Sequence, residues 1–183
     1  MPEGPARLIR LCLDLNVWVA DFLAERRERR TGSSAWLVDA IRTGTCAAGP
    51  VQLVVSVGML ERLQTVLVRA FRLDPDIAMA LTASIETIAA AGPAGDHPYL
   101  LLGGTGILPL RDVEDRHVLE VALAGRADVL ATANLADFAG TQFAPFGNWS
   151  RAMVYQPPAA QPLLIAHPDH VASWLRSGIV PSL

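Results

Sequence analysis

The stretch RDVEDRHVLEVALAGRADVLATANLADF, Arg111 to Phe138, decides the fold class. Val118, Leu119 and Ala122 follow Asp115 by three, four and seven residues, which is the spacing of one helical face. Gly125 is a helix stop. The run ADVLATA after it reads as a short buried strand. A helix feeding a strand in this way is half of an alternating α/β pattern. The stretch also poses a chemical question. Asp112, Glu114 and Asp115 open the helix, while Asn134 and Asp137 follow the strand. Carboxylates are costly to bury and normally face water, yet here they stand at both edges of apparent core.

The alternation continues in both directions. Leu8 to Leu13 reads as a buried strand ending near Asp14, and Val51 to Ser56 as a second one. ADFLAERRERRTGSSAWLVDAIRTG reads as two helices broken at Thr31 to Ser34. VGMLERLQTVLVRAFR is a helix with Leu60, Leu63 and Leu67 on one face. DPDIAMALTASIETIAAAG is another, with Pro75 near its first position and a stop at Gly92. PAGDHPYLLLGGTGILPL reads as a loop with a short strand, AMVYQPPAAQPLLIA as one or two short strands, and HPDHVASWLRSG as a last helix. The expected fold is a three-layer α/β/α sandwich with a mainly parallel central sheet, in a single domain over residues 1–183.

Composition narrows the chemistry. Of the 183 residues, 51% are hydrophobic and 18% charged, which suits a globular chain with a real core. A net charge of -3 argues against a strongly basic nucleic-acid binder, although a metal ion can supply positive charge locally. All 15 basic residues are Arg. Without Lys there is no Schiff base, no P-loop Lys and no Ser-Lys dyad. Cys12 and Cys46 form no recognisable pair; Cys12 reads as core, and the pattern suits a reducing, cytoplasmic setting. The amino-terminal residues do not read as a signal peptide, and no apolar run is long enough to span a membrane.

Parallel sheets bind ligands at the carboxyl ends of their strands. Asp14, Ser56 and the Asn134–Asp137 segment all follow strand ends. Asp115 and Glu61 stand in the first turns of helices, beside apolar stripes. Several anions brought together repel, and a divalent metal relieves that repulsion. An all-oxygen set favours Mg²⁺ or Mn²⁺ over Zn²⁺.

LCLDLNVWVADFL, VVSVGMLERLQTVL and DVEDRHVLEVALAGRADVLATANLADF, in that order and spacing, resemble the PIN-domain ribonucleases, including VapC-type toxins of toxin–antitoxin pairs. The tail LLIAHPDHVASWL resembles the family's closing strand, Pro and helix. The resemblance implies a metal-dependent endoribonuclease leaving 5′-phosphate and 3′-hydroxyl ends. It carries over Asp14, Glu61 and Asp115 as acids of the site, with Mg²⁺ or Mn²⁺ as cofactor and Glu61 orienting the attacking water. The family's fourth acid falls at Asn134, so Asp137 or Asp112 stands as its replacement. Asn16, Ser56 and Thr132 are expected to support the ligands through hydrogen bonds. The implied partners are an RNA substrate, an antitoxin protein and a second copy in a homodimer.

Other readings compete. A decayed metal site at Asn134 would leave a PIN-fold scaffold that binds RNA or protein. A haloacid-dehalogenase-like phosphatase wants an Asp at Asn16 and a downstream Lys, and neither is present. Asp14, Asp115 and Glu61 could simply cap helices or face water, and Asp112 reads first as an N-cap. AERRERR, Ala24 to Arg30, reads as a solvated face with a Glu25–Arg29 pair, against the alternative of RNA phosphate binding. GGTG, Gly103 to Gly106, reads as a turn. His167 and His170 read as a helix start rather than metal ligands, and His117 as pointing outward. The four Trp residues read as core or interface.

Overall fold

The computed structural model describes residues 7–93, 99–100, 113–138, 140, 142–157, 161–181 and 183, with backbone only at 99–100 and 113–116. Five strands form its parallel portion: β1 (Ile9–Leu13), β3 (Gly49–Ser56), β4 (Tyr99–Leu100), β5 (Val129–Ala131) and β8 (Leu163–Ala166). The strand order is β2-β3-β1-β5-β8-β7-β6, with β4 also paired to β3. The short strands β2 (Thr45–Cys46), β7 (Ala152–Tyr155) and β6 (Phe143–Pro145) add antiparallel pairings.

Consecutive residues of a strand point to opposite faces of its sheet. In β1, Leu11, Cys12 and Leu13 are all fully buried, and so are all four residues of β8. Both faces of the sheet are therefore covered, as a central parallel strand requires. The covering helices are α1 (Leu15–Arg26), α2 (Ser33–Thr43), α3 (Val57–Arg69), α4 (Pro75–Ala90), α5 (Val113–Ala124) and α6 (Pro168–Arg176). The expected three-layer α/β arrangement is what forms. Buried Gln52 is one of its ties: its amide donates to Ala89 O at 2.9 Å, joining β3 to the end of α4.

Several boundaries differ from the sequence reading. Helix α1 starts directly after Asp14, because Asp14 caps it, rather than at Ala20 where the sequence reading began it. It stops at Arg26, and Glu28 takes a left-handed backbone (φ 52°). The Glu25–Arg29 pair therefore does not form, since it needs a helix running through both residues. Instead Arg30 turns back to buried Asp21, at 2.9 and 3.1 Å, and to Asp39 at 2.8 Å. Strand β5 ends at Ala131, and β6 is an edge strand that the sequence reading did not contain. The segment Gly103 to Gly106 lies outside the described residues, as does Asp112.

Candidate active site

The parallel register fixes the site. Leu13 pairs with Ala131, and Ala131 with Ala166; Cys12 pairs with Val54. One or two residues further on, Ser56, Asp14, Thr132 and His167 form a row across the carboxyl edge of β3, β1, β5 and β8.

Asp14 is the centre of that row. Its backbone is extended (φ -64°, ψ 157°), and its side chain caps α1. Oδ1 accepts from the Leu15 N–H at 2.6 Å. Oδ2 accepts from Asn16 Nδ2 at 2.5 Å and from Thr132 Oγ1 at 2.6 Å. The fully buried Thr132 hydroxyl is saturated, since it also accepts from Asn16 Nδ2 at 3.1 Å and from the Asn134 N–H at 3.0 Å. Asn16 Oδ1 closes the network by accepting from the Ala133 N–H at 3.1 Å. Two supporting residues of the sequence reading thus clamp one carboxylate between two strands.

Burial pushes the Asp14 carboxyl above its usual range; the three hydrogen bonds pull it back, and the charge of Asp137 pushes it up again. Asp137 therefore lies within electrostatic reach of Asp14. It ends a short 3-10 helix, Leu135–Asp137, and its Oδ2 accepts from Asn134 Nδ2. Asn134 and Asp137 act here as a pair, with the amide orienting the carboxylate.

The other candidates are placed differently. Ser56 caps α3, accepting from the Met59 N–H at 3.2 Å, and its Oγ lies 3.2 Å from His117 Nε2. His117 is half-buried and turned inward against Gly58, where a Cβ would meet Nε2 at 2.9 Å. The expectation that it points outward fails because Gly58 leaves room for the ring. Burial lowers the His117 pKa. This contact holds the first turns of α5 at the carboxyl edge. Asp115 is the third residue of α5, and its side chain lies outside the described ones. Glu61 is exposed, and it sits just past the first turn of α3 rather than within it, because the helix begins at Val57. No described side chain engages its carboxylate. His167 caps α6, its Nδ1 accepting from the Asp169 N–H at 3.2 Å. Sequence reasoning missed the inward His117 and the buried Asp21.

The donors fit a hard divalent cation. They are all oxygens, Asp14 keeps lone-pair capacity on Oδ1, and the Asp14–Asp137 repulsion is what a cation would relieve. Among the described residues no group of three or more His, Cys, Asp and Glu converges into a metal cluster. No helix among them is long and apolar enough to cross a membrane.

A family model described as PIN domain matches residues 10–136. That span contains Asp14, Ser56 and Thr132 of the row, leaves out His167, and ends one residue before Asp137. No curated protein and no solved structure matched the chain.

Proposed function

Because the chain belongs to the PIN-domain family, a fold of nuclease type, we propose that it is a divalent-metal-dependent endoribonuclease that hydrolyses RNA phosphodiester bonds. One observation carries the reading. A buried carboxylate, Asp14, is held by three hydrogen bonds at the carboxyl edge of the sheet, with the charge of Asp137 upon it. Holding a carboxylate buried with no cation beside it is costly, and such costs concentrate at functional sites.

In this reading Asp14, Asp115 and Asp137 hold Mg²⁺ or Mn²⁺, with the Asn134 amide orienting Asp137. The cation, when bound, supplies Lewis acidity at the scissile phosphodiester. Thr132 and Asn16 fix the Asp14 carboxylate so that no reorganisation is needed as charge develops. Glu61 is left unengaged and available to orient the attacking water. Ser56 positions α5 through His117. A homodimer and a toxin role with an antitoxin partner are carried over from the family resemblance, while a single domain follows the chain's length and α/β alternation and a cytoplasmic setting its cysteine pattern.

A second reading, a catalytically silent PIN-fold scaffold, draws on the neutral Asn134 at the fourth acidic position. Mn²⁺ calorimetry on the wild type, Asp14→Asn and Asp115→Asn, run beside cleavage of a fluorescent RNA, separates the two. The nuclease reading expects binding and cleavage to fall together in both variants. Metal binding with no cleavage of any RNA would favour the scaffold, and binding untouched by either variant would remove those acids from the site.

A further inference from the structure

The antiparallel end of the sheet brings a second feature to the edge that carries Asp14. Ala152 pairs with Ala166, so the turn between β6 and β7 lies beside the carboxyl end of β8; the His167 N–H donates to Arg151 O at 3.0 Å and fixes it there. Between this turn and the 3-10 helix of Asp137 lies a cavity of about 430 Å³. Its lining includes Leu135 and Phe138, which bracket Asp137 in the chain, together with Phe143, Asn148, Trp149 and Ser150. That volume falls in the range of about 300–1,000 Å³ typical of small-ligand pockets.

Trp149 is the unusual wall. It is 43% exposed, although its ring is wedged edge-on against Trp174 (centroids 5.2 Å apart, 88°) and His170 (4.9 Å, 72°). A ring held on one side and open on the other is a stacking surface that loses little entropy on binding. Asn148 and Ser150 beside it have side chains with no hydrogen-bond partner among the described residues. An aromatic face flanked by an unused amide and an unused hydroxyl matches an unpaired nucleobase: stacking takes its face, and polar groups read its edge.

We propose that this cavity is a nucleobase subsite, in which one unpaired base of a single-stranded RNA stacks on Trp149 and is read by Asn148 and Ser150 while the adjoining phosphodiester lies at the Asp14–Asp137 edge. The assignment rests on the ribonuclease reading and adds a base preference set outside the acidic cluster.

The test measures binding without cleavage. Labelled six-nucleotide homopolymers of A, C, G and U, and a duplex of equal length, are titrated in EDTA into the wild type, Trp149→Ala, Trp149→Phe and Asn148→Ala. Trp149→Ala should weaken single-strand binding about tenfold. Trp149→Phe should keep most of the affinity, and Asn148→Ala should change the order of preference among the four homopolymers. Intrinsic tryptophan fluorescence should be quenched by RNA in the wild type and not in Trp149→Phe, since Trp18 and Trp174 are buried and Arg176 covers Trp36. Unchanged affinity in Trp149→Ala, or equal binding of single strand and duplex, overturns the assignment. Cleavage with metal, lost in Asp14→Asn, is read separately. A failure there overturns the nuclease reading, whereas a failure in the binding series with cleavage intact overturns only the subsite.

Discussion

Replacing Thr132 by Val should weaken the fold and the Asp14 clamp together. Val keeps the volume of Thr but removes a hydroxyl that makes three hydrogen bonds at a fully buried position. The bond at 2.6 Å to the Asp14 carboxylate is charge-assisted and contributes about 1.5–3 kcal/mol. The Asn134 N–H lies at an exposed residue and can turn to water, and Asn16 keeps its own bond to Asp14, so these losses are smaller. We expect a net cost of about 2–3 kcal/mol. Thr132→Ser keeps the hydroxyl and loses one buried methyl, for about 1 kcal/mol. Urea unfolding in EDTA at pH 7 should therefore rank wild type, Ser, then Val. The pH dependence follows from Asp14. Its folded carboxyl is raised above the unfolded value of about 3.9, so ionised Asp14 costs stability above the folded pKa, and that cost vanishes as pH falls below the unfolded value. Removing the Thr132 bond raises the folded pKa further. The gap between wild type and Val should thus narrow as pH falls through that pKa. A Val variant as stable as the Ser variant, or a gap that widens on acidification, would refute the account.

Gly58→Ala should place a methyl 2.9 Å from His117 Nε2, displace the ring and break its contact with Ser56, for about 1–3 kcal/mol; NMR titration should show the His117 pKa moving up from its burial-lowered value. Arg30→Ala should leave buried Asp21 facing only Arg42 at 3.7 Å and lower stability by about 2–4 kcal/mol in thermal melts, with Arg30→Lys restoring part of it, because an ammonium cannot reproduce the fork that joins Asp21 and Asp39. A melt within experimental error of wild type would contradict the burial of that ion pair. Iodoacetamide should label Cys46 but not Cys12 in the native protein, since burial shuts in the Cys12 thiol and raises its pKa; mass spectrometry after unfolding should then find the second adduct.

The central strands were legible because β1 and β3 are largely apolar runs, α3 because its Leu stripe repeats at helical spacing, and α4 because Pro75 and Gly92 mark its two ends. The end of β1 near Asp14 was legible as well, but the start of α1 was not, since LNVWV is as apolar as the strand before it and only the side chain of Asp14 turning onto the Leu15 N–H shows that the helix begins at once. Strand β6 was hidden by its three-residue length and its Pro. In the site, residue identity and order pointed to Asp14, Thr132 and Asn16, whereas the pairing of Asn134 with Asp137 needed the 3-10 turn, which carries no strong sequence signal. Asp21 and Arg30 were unreadable for a related reason: a sequence displays charges but not which of them meet.

Asp14 is both the cap of α1 and the acid at the centre of the row, and the two duties need different things of it. The cap needs only a short side chain with an oxygen; the chemistry needs a negative charge. Asparagine satisfies the first and fails the second, and one nucleotide change in a codon separates it from aspartate. On the nuclease reading, activity at this position can therefore be extinguished, and regained by reversion, along a path on which helix α1 stays anchored throughout. Alanine offers no such path, so a dead-enzyme control built with it would confound a lost charge with a loosened helix.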